Sequence, residues 1–198
     1  MILLLSLLLI FLPADVHGKD ILSMIEKKYS KVKGIEGIFV EKHEPGGSSW
    51  KGKFCMERGG KLLWIYTDPP GKRILCDGKA MYYFIEREKK VYYRKLKRKP
   101  SRFFFVWDKD KLKRYSISAK ESGRMIIVTL RPKGEDRDFS WAQLTFNKRT
   151  LHLLSISMKD DLGNTTIVIF KKWREKSSFP DKIFKVTIPE NFTIQRLD

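Results

Sequence analysis

A mainly β fold, built as one strongly curved antiparallel sheet with helices over its open side, is predicted by three features of this 198-residue chain. Apolar and polar residues alternate with period two in about eleven short runs. Turn-forming clusters such as DPPG, DGK and KDDLGN separate those runs. One apolar set at helical spacing precedes them all. A closed up-and-down barrel is the simplest competing arrangement of the same strands.

The opening MILLLSLLLIFLPADVHGKD carries an apolar run over residues 2–12, a breaker at Pro13, and the small residue Gly18 with Val16 two positions before it. That pattern reads as a secretory signal peptide, residues 1–18, cleaved after Gly18. The competing reading is a membrane anchor, for which the run is short. No cysteine lies near the cleavage point to take a lipid. The expectation is a single soluble domain over 19–198, delivered to an exported compartment.

In KDILSMIEKKYSKVKG, Ile21, Leu22, Ile25, Tyr29 and Val32 share one helical face, with Asp20 placed to cap the start and Gly34 the end. Period two then takes over, and strands are expected over 38–43, 50–57, 61–67, 72–76, 80–85 and 91–96. Pro100 precedes SRFFFVWDKDKLKRY, where Phe103, Phe104, Trp107, Leu112 and Tyr115 fit one or two helical turns. Strands resume over 115–119, 124–131, 139–147, 151–158 and 165–172, and the tail adds a last pair of apolar segments around Pro189.

Chemistry is sparse. His17, His43 and His152 stand alone, without Cys or carboxylate at metal-ligand spacing. No GxSxG, P-loop or GxGxxG motif occurs. The expectation is a non-enzyme without cofactor or metal. The net charge of +18 suits anionic lipid or acidic proteins; export argues against nucleic acid, and the basic residues are spread along the chain, as on a solvated outer face. Cys55 and Cys76 fall on different strands, and whether they pair is left open.

The aromatics of the sheet include Phe39, Trp50, Phe54, Trp64, Tyr66, Tyr82, Tyr83 and Phe84. They fit three readings: core filling, a stacking platform for single strands or glycans, or the lining of a pocket for acyl chains.

The stretch MERGGKLLWIYTDPPGKRILCDGKAMYYFI resembles the signature of the LolA family of periplasmic lipoprotein carriers. The matching residues are Arg58, Leu62, Trp64 and Tyr66, then Pro69 and Pro70, Ile74 and Leu75, and Asp77, Gly78 and Lys79. The opening helix, GIFVEK, Pro100 before an apolar helix and the close FKKWREKSSFPDKIFKVTIPENFTI extend the resemblance over the mature chain. Gly59 departs from the family's Pro, and Glu175 and Lys176 from its Asn.

This resemblance implies an incomplete, open antiparallel β-barrel of about eleven strands with a helical lid. It also implies a periplasmic, monomeric carrier that shelters lipoprotein acyl chains between the inner and outer membranes. Its partners would be the acylated cargo, an inner-membrane lipoprotein-releasing transporter and an outer-membrane acceptor. Arg58 takes the position of a latch to the lid, and Leu62, Trp64, Tyr66, Phe103 and Phe104 those of an acyl cavity or its rim, with Tyr82 and Phe84 as further cavity candidates. The alternatives are a lipid or lipoprotein sensor or acceptor on the same fold, and a basic module binding polyanions or lipopolysaccharide.

Overall fold

The computed structural model describes residues 15–96, 113–134 and 139–197. Helix α1 spans Asp15–Tyr29. Its Ile21, Ile25 and Tyr29, with Val32 just beyond, are at most 2% exposed, so one stripe faces inward as the helical spacing requires. Two expectations are corrected. Asp20 lies inside the helix instead of capping it, because the helical run continues upstream to Asp15. Gly34 does not stop the helix, which has already ended at Tyr29; pairing of Gly34 with Glu57 and Lys176 draws it into the first strand.

The strands that follow are β1 (Gly34–Glu44), β2 (Ser49–Glu57), β3 (Lys61–Asp68), β4 (Pro70–Asp77), β5 (Ala80–Ile85) and β6 (Lys90–Lys95). After the segment outside the described residues, which includes Phe103 and Phe104, come β7 (Tyr115–Ser122), β8 (Met125–Pro132), β9 (Trp141–Asn147), β10 (Leu153–Lys159) and β11 (Thr165–Lys176). β12 (Thr193–Arg196) is a further strand, drawn from the tail.

One sheet holds all twelve in the order β12-β6-β5-β4-β3-β2-β1-β11-β10-β9-β8-β7. β1 and β11 pair along their whole length, from Gly34 opposite Lys176 to Glu44 opposite Thr165, and so join the two halves of the chain. β7 and β12 form unjoined edges, which rules out the closed barrel. The neighbours are antiparallel except β12 and β6. After β11 the chain passes through a 3₁₀ turn at Asp181–Phe184, crosses the outer face, and reaches β6 travelling in the same direction.

Curvature is written at two glycines on the inner face. A Cβ on Gly52 would stand 2.3 Å from the Ile65 carbonyl oxygen and 2.5 Å from the Phe39 ring; one on Gly37 would stand 1.9 Å from the Lys172 carbonyl oxygen. Both sit beside register shifts, at Lys51/Gly52 and Ile38/Phe39. Such bulges bend the strand and increase its twist, turning a flat ribbon into a trough.

Two apolar clusters result. The larger lies between α1 and the concave face; the smaller, Leu75, Phe84 and Val91, lies on the convex face beneath Val186, Ile188 and Phe192 of the tail. The cysteines are separated by the same two faces. Cys76 lines up across the strands with Leu62 and Met56, and Cys55 with Leu63 and Leu75. Both thiols are free, and no bridge can reach through the sheet.

Candidate functional site

Leu62, Trp64 and Tyr66 alternate along β3, so all three project from the concave face, at 3, 5 and 4% exposure. Their neighbours are aromatic. Trp64 lies 4.5 Å from the Phe39 ring, 6.2 Å from Phe54 and 6.4 Å from Phe170, and Tyr66 meets Phe39 edge-on at 5.2 Å. The floor of the trough over β1–β3 and β11 is thus a continuous aromatic surface, whose edge-to-face contacts add to simple area burial.

Over β8–β10 the trough is filled by α1. Tyr29 meets Phe146 edge-on at 5.9 Å, donates its hydroxyl hydrogen to the Leu151 carbonyl at 3.1 Å, and accepts the Leu153 N–H at 3.1 Å. Burial pushes its phenol far above the ordinary value. Ion pairing of Lys28 with Glu175 ties the same end of the helix to β11.

Arg58, just beyond β2, makes the most direct contact with the end of α1. Its Nη2 donates to the carbonyls of Tyr29 at 2.8 Å, Ser30 at 2.6 Å and Val32 at 3.0 Å, and its Nε to Val32 at 3.3 Å. Carbonyls at a helix C-terminus lack partners within the helix and carry the negative end of its dipole, so a guanidinium is the natural counterpart. The Arg58 N–H also donates to the Lys33 carbonyl at 2.8 Å. The covering element is therefore held to the sheet by a side chain acting on main-chain acceptors.

At the opposite end of β1–β4 the concave face turns polar. The Glu41 carboxylate, 6% exposed, accepts the Tyr66 hydroxyl at 2.8 Å and lies 2.8 Å from His43 Nε2. Burial, with the Glu41 charge second, pushes the Tyr66 phenol far up. The Lys72 ammonium lies over the rings of Tyr66 and Trp50, at 4.4 and 4.5 Å, and burial lowers its pKa. An apolar trough that ends in a cation, a carboxylate and two aromatic faces has a defined direction: one end is fastened to α1, the other accepts polar atoms.

Tyr82 and Phe84 are corrected. They lie on the convex face, where Tyr82 pairs with Leu75 and Phe84 with Arg73, whose guanidinium covers its ring at 3.8 Å. The inward residues of β5 are Met81 and Tyr83, opposite Cys76 and Ile74. AMYYFI is apolar on both faces because the C-terminal tail covers the outer one, so alternation alone gives no sign of which face is inner. Phe103 and Phe104 lie outside the described residues. The sequence reading did not single out Glu41, Lys72 or Phe170. Glu41 was legible in principle: it is two residues beyond Phe39 and four beyond Gly37, and shares their inward parity.

The family model for the outer membrane lipoprotein carrier protein LolA matches residues 30–187. The chain belongs to the LolA family. It is 25% identical over 177 residues to the outer-membrane lipoprotein carrier protein of Cupriavidus pinatubonensis, covering 83% of this chain and 82% of that one. It is 24% identical over 199 residues to the protein of the same name from Legionella pneumophila strain Paris, covering 96% of both. Among solved structures, an uncharacterized conserved protein from Thermus thermophilus shares the fold at a TM-score of 0.58 and 9% identity, over 90% of this chain and 98% of that one. Among the described residues no helix is long and apolar enough to cross a membrane.

Proposed function

We propose that the mature chain, residues 19–198, is a monomeric, non-enzymatic periplasmic carrier. It takes acylated lipoproteins from an inner-membrane releasing transporter and passes them to an outer-membrane acceptor. The acyl chains lie against Leu62, Trp64 and Tyr66, beside a lid formed by α1. The observation that supports this reading is the fastening itself. A helix with an apolar stripe fills the trough over β8–β10, next to its aromatic floor, and is tied at its end by Arg58 hydrogen bonds to Tyr29, Ser30 and Val32.

Energetics favour a device that closes on itself when empty. Burying one chain of roughly 14 carbons gains about 11 kcal/mol at ~0.8 kcal/mol per CH₂. Three such chains would exceed the practical ceiling on affinity, near ~20 kcal/mol, and would never be handed on. A lid that must be lifted subtracts its closing energy from that total, and the subtraction is returned on release.

The test uses an environment-sensitive apolar dye. It is expected to bind with a stoichiometry near one and to be displaced by fatty-acyl compounds at low and high salt alike. Displacement by heparin and not by acyl compounds would overturn the carrier reading in favour of a surface binder of polyanions.

A further inference from the structure

On the convex side, strand register assembles a feature that no single segment displays. Across β11, β1, β2, β3 and β4 one row reads Lys172, Ile38, Lys53, Ile65, Arg73. Ile38 and Ile65 are 38% and 41% exposed, which sets them apart from the buried isoleucines of the inner face. The neighbouring rows add Val40 beside Lys51 and Lys42 beside Ile167. The carboxylates at the margin are already engaged, Asp68 by Lys51 at 2.9 Å and Glu36 by Arg174 and by Lys176 at 3.9 Å. Among the described residues Lys53 and Lys172 make no ion pair. Further along the same face, over β8–β10, the row Thr129, Gln143 and Ser157 is polar and uncharged, while Met125, Ile127 and Trp141 bring apolar surface to it and Arg131 and Lys159 lie at its border. Beyond Arg73 the C-terminal tail covers the sheet.

We propose that this outer face of β11-β1-β2-β3 docks the protein on an anionic lipid surface. Four strands at ~4.8 Å spacing make a patch roughly 15 Å across. Exposed lysines flank the isoleucines across the strands, and long amphipathic side chains so placed can lay their stems on apolar neighbours with the ammonium groups toward lipid headgroups. Charge complementarity selects the anionic partner. A folded acidic protein fits less well, because protein interfaces are depleted in Lys and built around aromatic or Arg anchors; the Ile38–Lys53–Ile65 row carries no aromatic residue, and the Arg73 guanidinium at its end lies over the Phe84 ring. Lysine, a point charge without a fixed fork, suits mobile headgroups over one rigid carboxylate pattern. The trough faces away from the patch, so docking leaves the lid free. The reading stands independently of what the trough holds.

The purified mature protein would be sedimented with vesicles of phosphatidylcholine alone and of phosphatidylcholine with ~30% phosphatidylglycerol. Binding is expected only to the anionic vesicles, and to weaken steeply with salt. Each cation near such a surface contributes about a fivefold factor in partitioning; the double variant Lys53→Glu with Lys172→Glu should therefore lose at least 25-fold. Ile65→Ser should lose several-fold. A control with the same charge change on the tail, Lys182→Glu with Lys185→Glu, should lose far less. Equal losses in both pairs would mean attraction by net charge alone and overturn the proposal, as would wild-type binding by the Lys53/Lys172 variant. Retention only on vesicles that carry an acidic membrane protein would also overturn it. Apolar-dye binding, measured on every variant, reports the trough separately and should not change.

Discussion

Replacing Arg58 by Leu removes four hydrogen bonds to main-chain carbonyls of Tyr29, Ser30 and Val32, together with a cation at the C-terminal end of α1. Bonds to a charged donor are worth ~1.5–3 kcal/mol each when buried. Arg58 is exposed, so water screens and replaces much of that, and these bonds share one side chain; the net loss is about 1–3 kcal/mol. The fold should survive, because the Lys33 carbonyl still receives the residue 58 N–H and the helix stripe is untouched. If α1 must lift for cargo to enter, the lost closing energy appears as a gain in acyl-ligand affinity of roughly five- to 150-fold, and transfer to an acceptor slows. Ligand affinity and transfer rate measured side by side check this, with amide exchange at residues 21–29 reporting the loosened helix. Unchanged affinity, rate and exchange together would refute the latch and leave Arg58 as a surface cation only.

Three further outcomes follow from burial and close packing. The two thiols should both titrate in the oxidised, denatured protein; in the folded state Cys76, pushed up to about 11 by burial, should react with iodoacetamide far more slowly than an ordinary thiol. Gly52→Ala should unfold or severely destabilise the protein, by more than about 3 kcal/mol, since the new methyl would meet both the Ile65 carbonyl and the Phe39 ring; a denaturant midpoint near wild type would contradict that. Tyr29 and Tyr66 are both raised by burial, so their contribution to stability is whole below pH ~10, where the unfolded phenol still keeps its proton, and is lost as pH climbs toward the folded values. Thermal melts should therefore fall above pH ~10, and the double variant Tyr29→Phe with Tyr66→Phe should flatten that fall.

The sequence revealed most where one face of an element is wet. α1 could be read from Ile21, Ile25, Tyr29 and Val32 because the rest of the helix is polar, and β3 because Leu62, Trp64 and Tyr66 alternate with Lys61, Ile65 and Thr67 against solvent or a half-open surface. It revealed least where both faces are covered. β5 sits between the trough and the C-terminal tail, so Tyr82 and Tyr83 look alike in sequence while facing opposite ways. β12 was illegible for a different reason: TIQR has no buried residue, and its place is fixed by hydrogen bonding to β6 after a crossing that only the packing of Val186, Ile188 and Phe192 determines. Arg58 could be named only through family resemblance, since a cation after a strand has no signature of its own; the helix end that it binds is brought there by tertiary structure.

The closing energy does not reside in Arg58. Lifting α1 would uncover Ile21, Ile25 and Val32, each at most 2% exposed, at a cost of ~1.5–3 kcal/mol apiece. That is roughly 5–9 kcal/mol of apolar closure against about 1–3 from the guanidinium. A single acyl chain of ~14 carbons, worth about 11 kcal/mol, falls inside the combined cost of roughly 6–12 kcal/mol, whereas a second chain would exceed it with a surplus that still lies within the range of reversible binding. In the proposed carrier, the apolar stripe of the helix would therefore set how many chains are needed to open the trough. On that reading Arg58 would act on the remainder: a few hydrogen bonds to backbone, made and broken without disturbing the packing, would be enough to move a balance that the stripe has already brought close to zero.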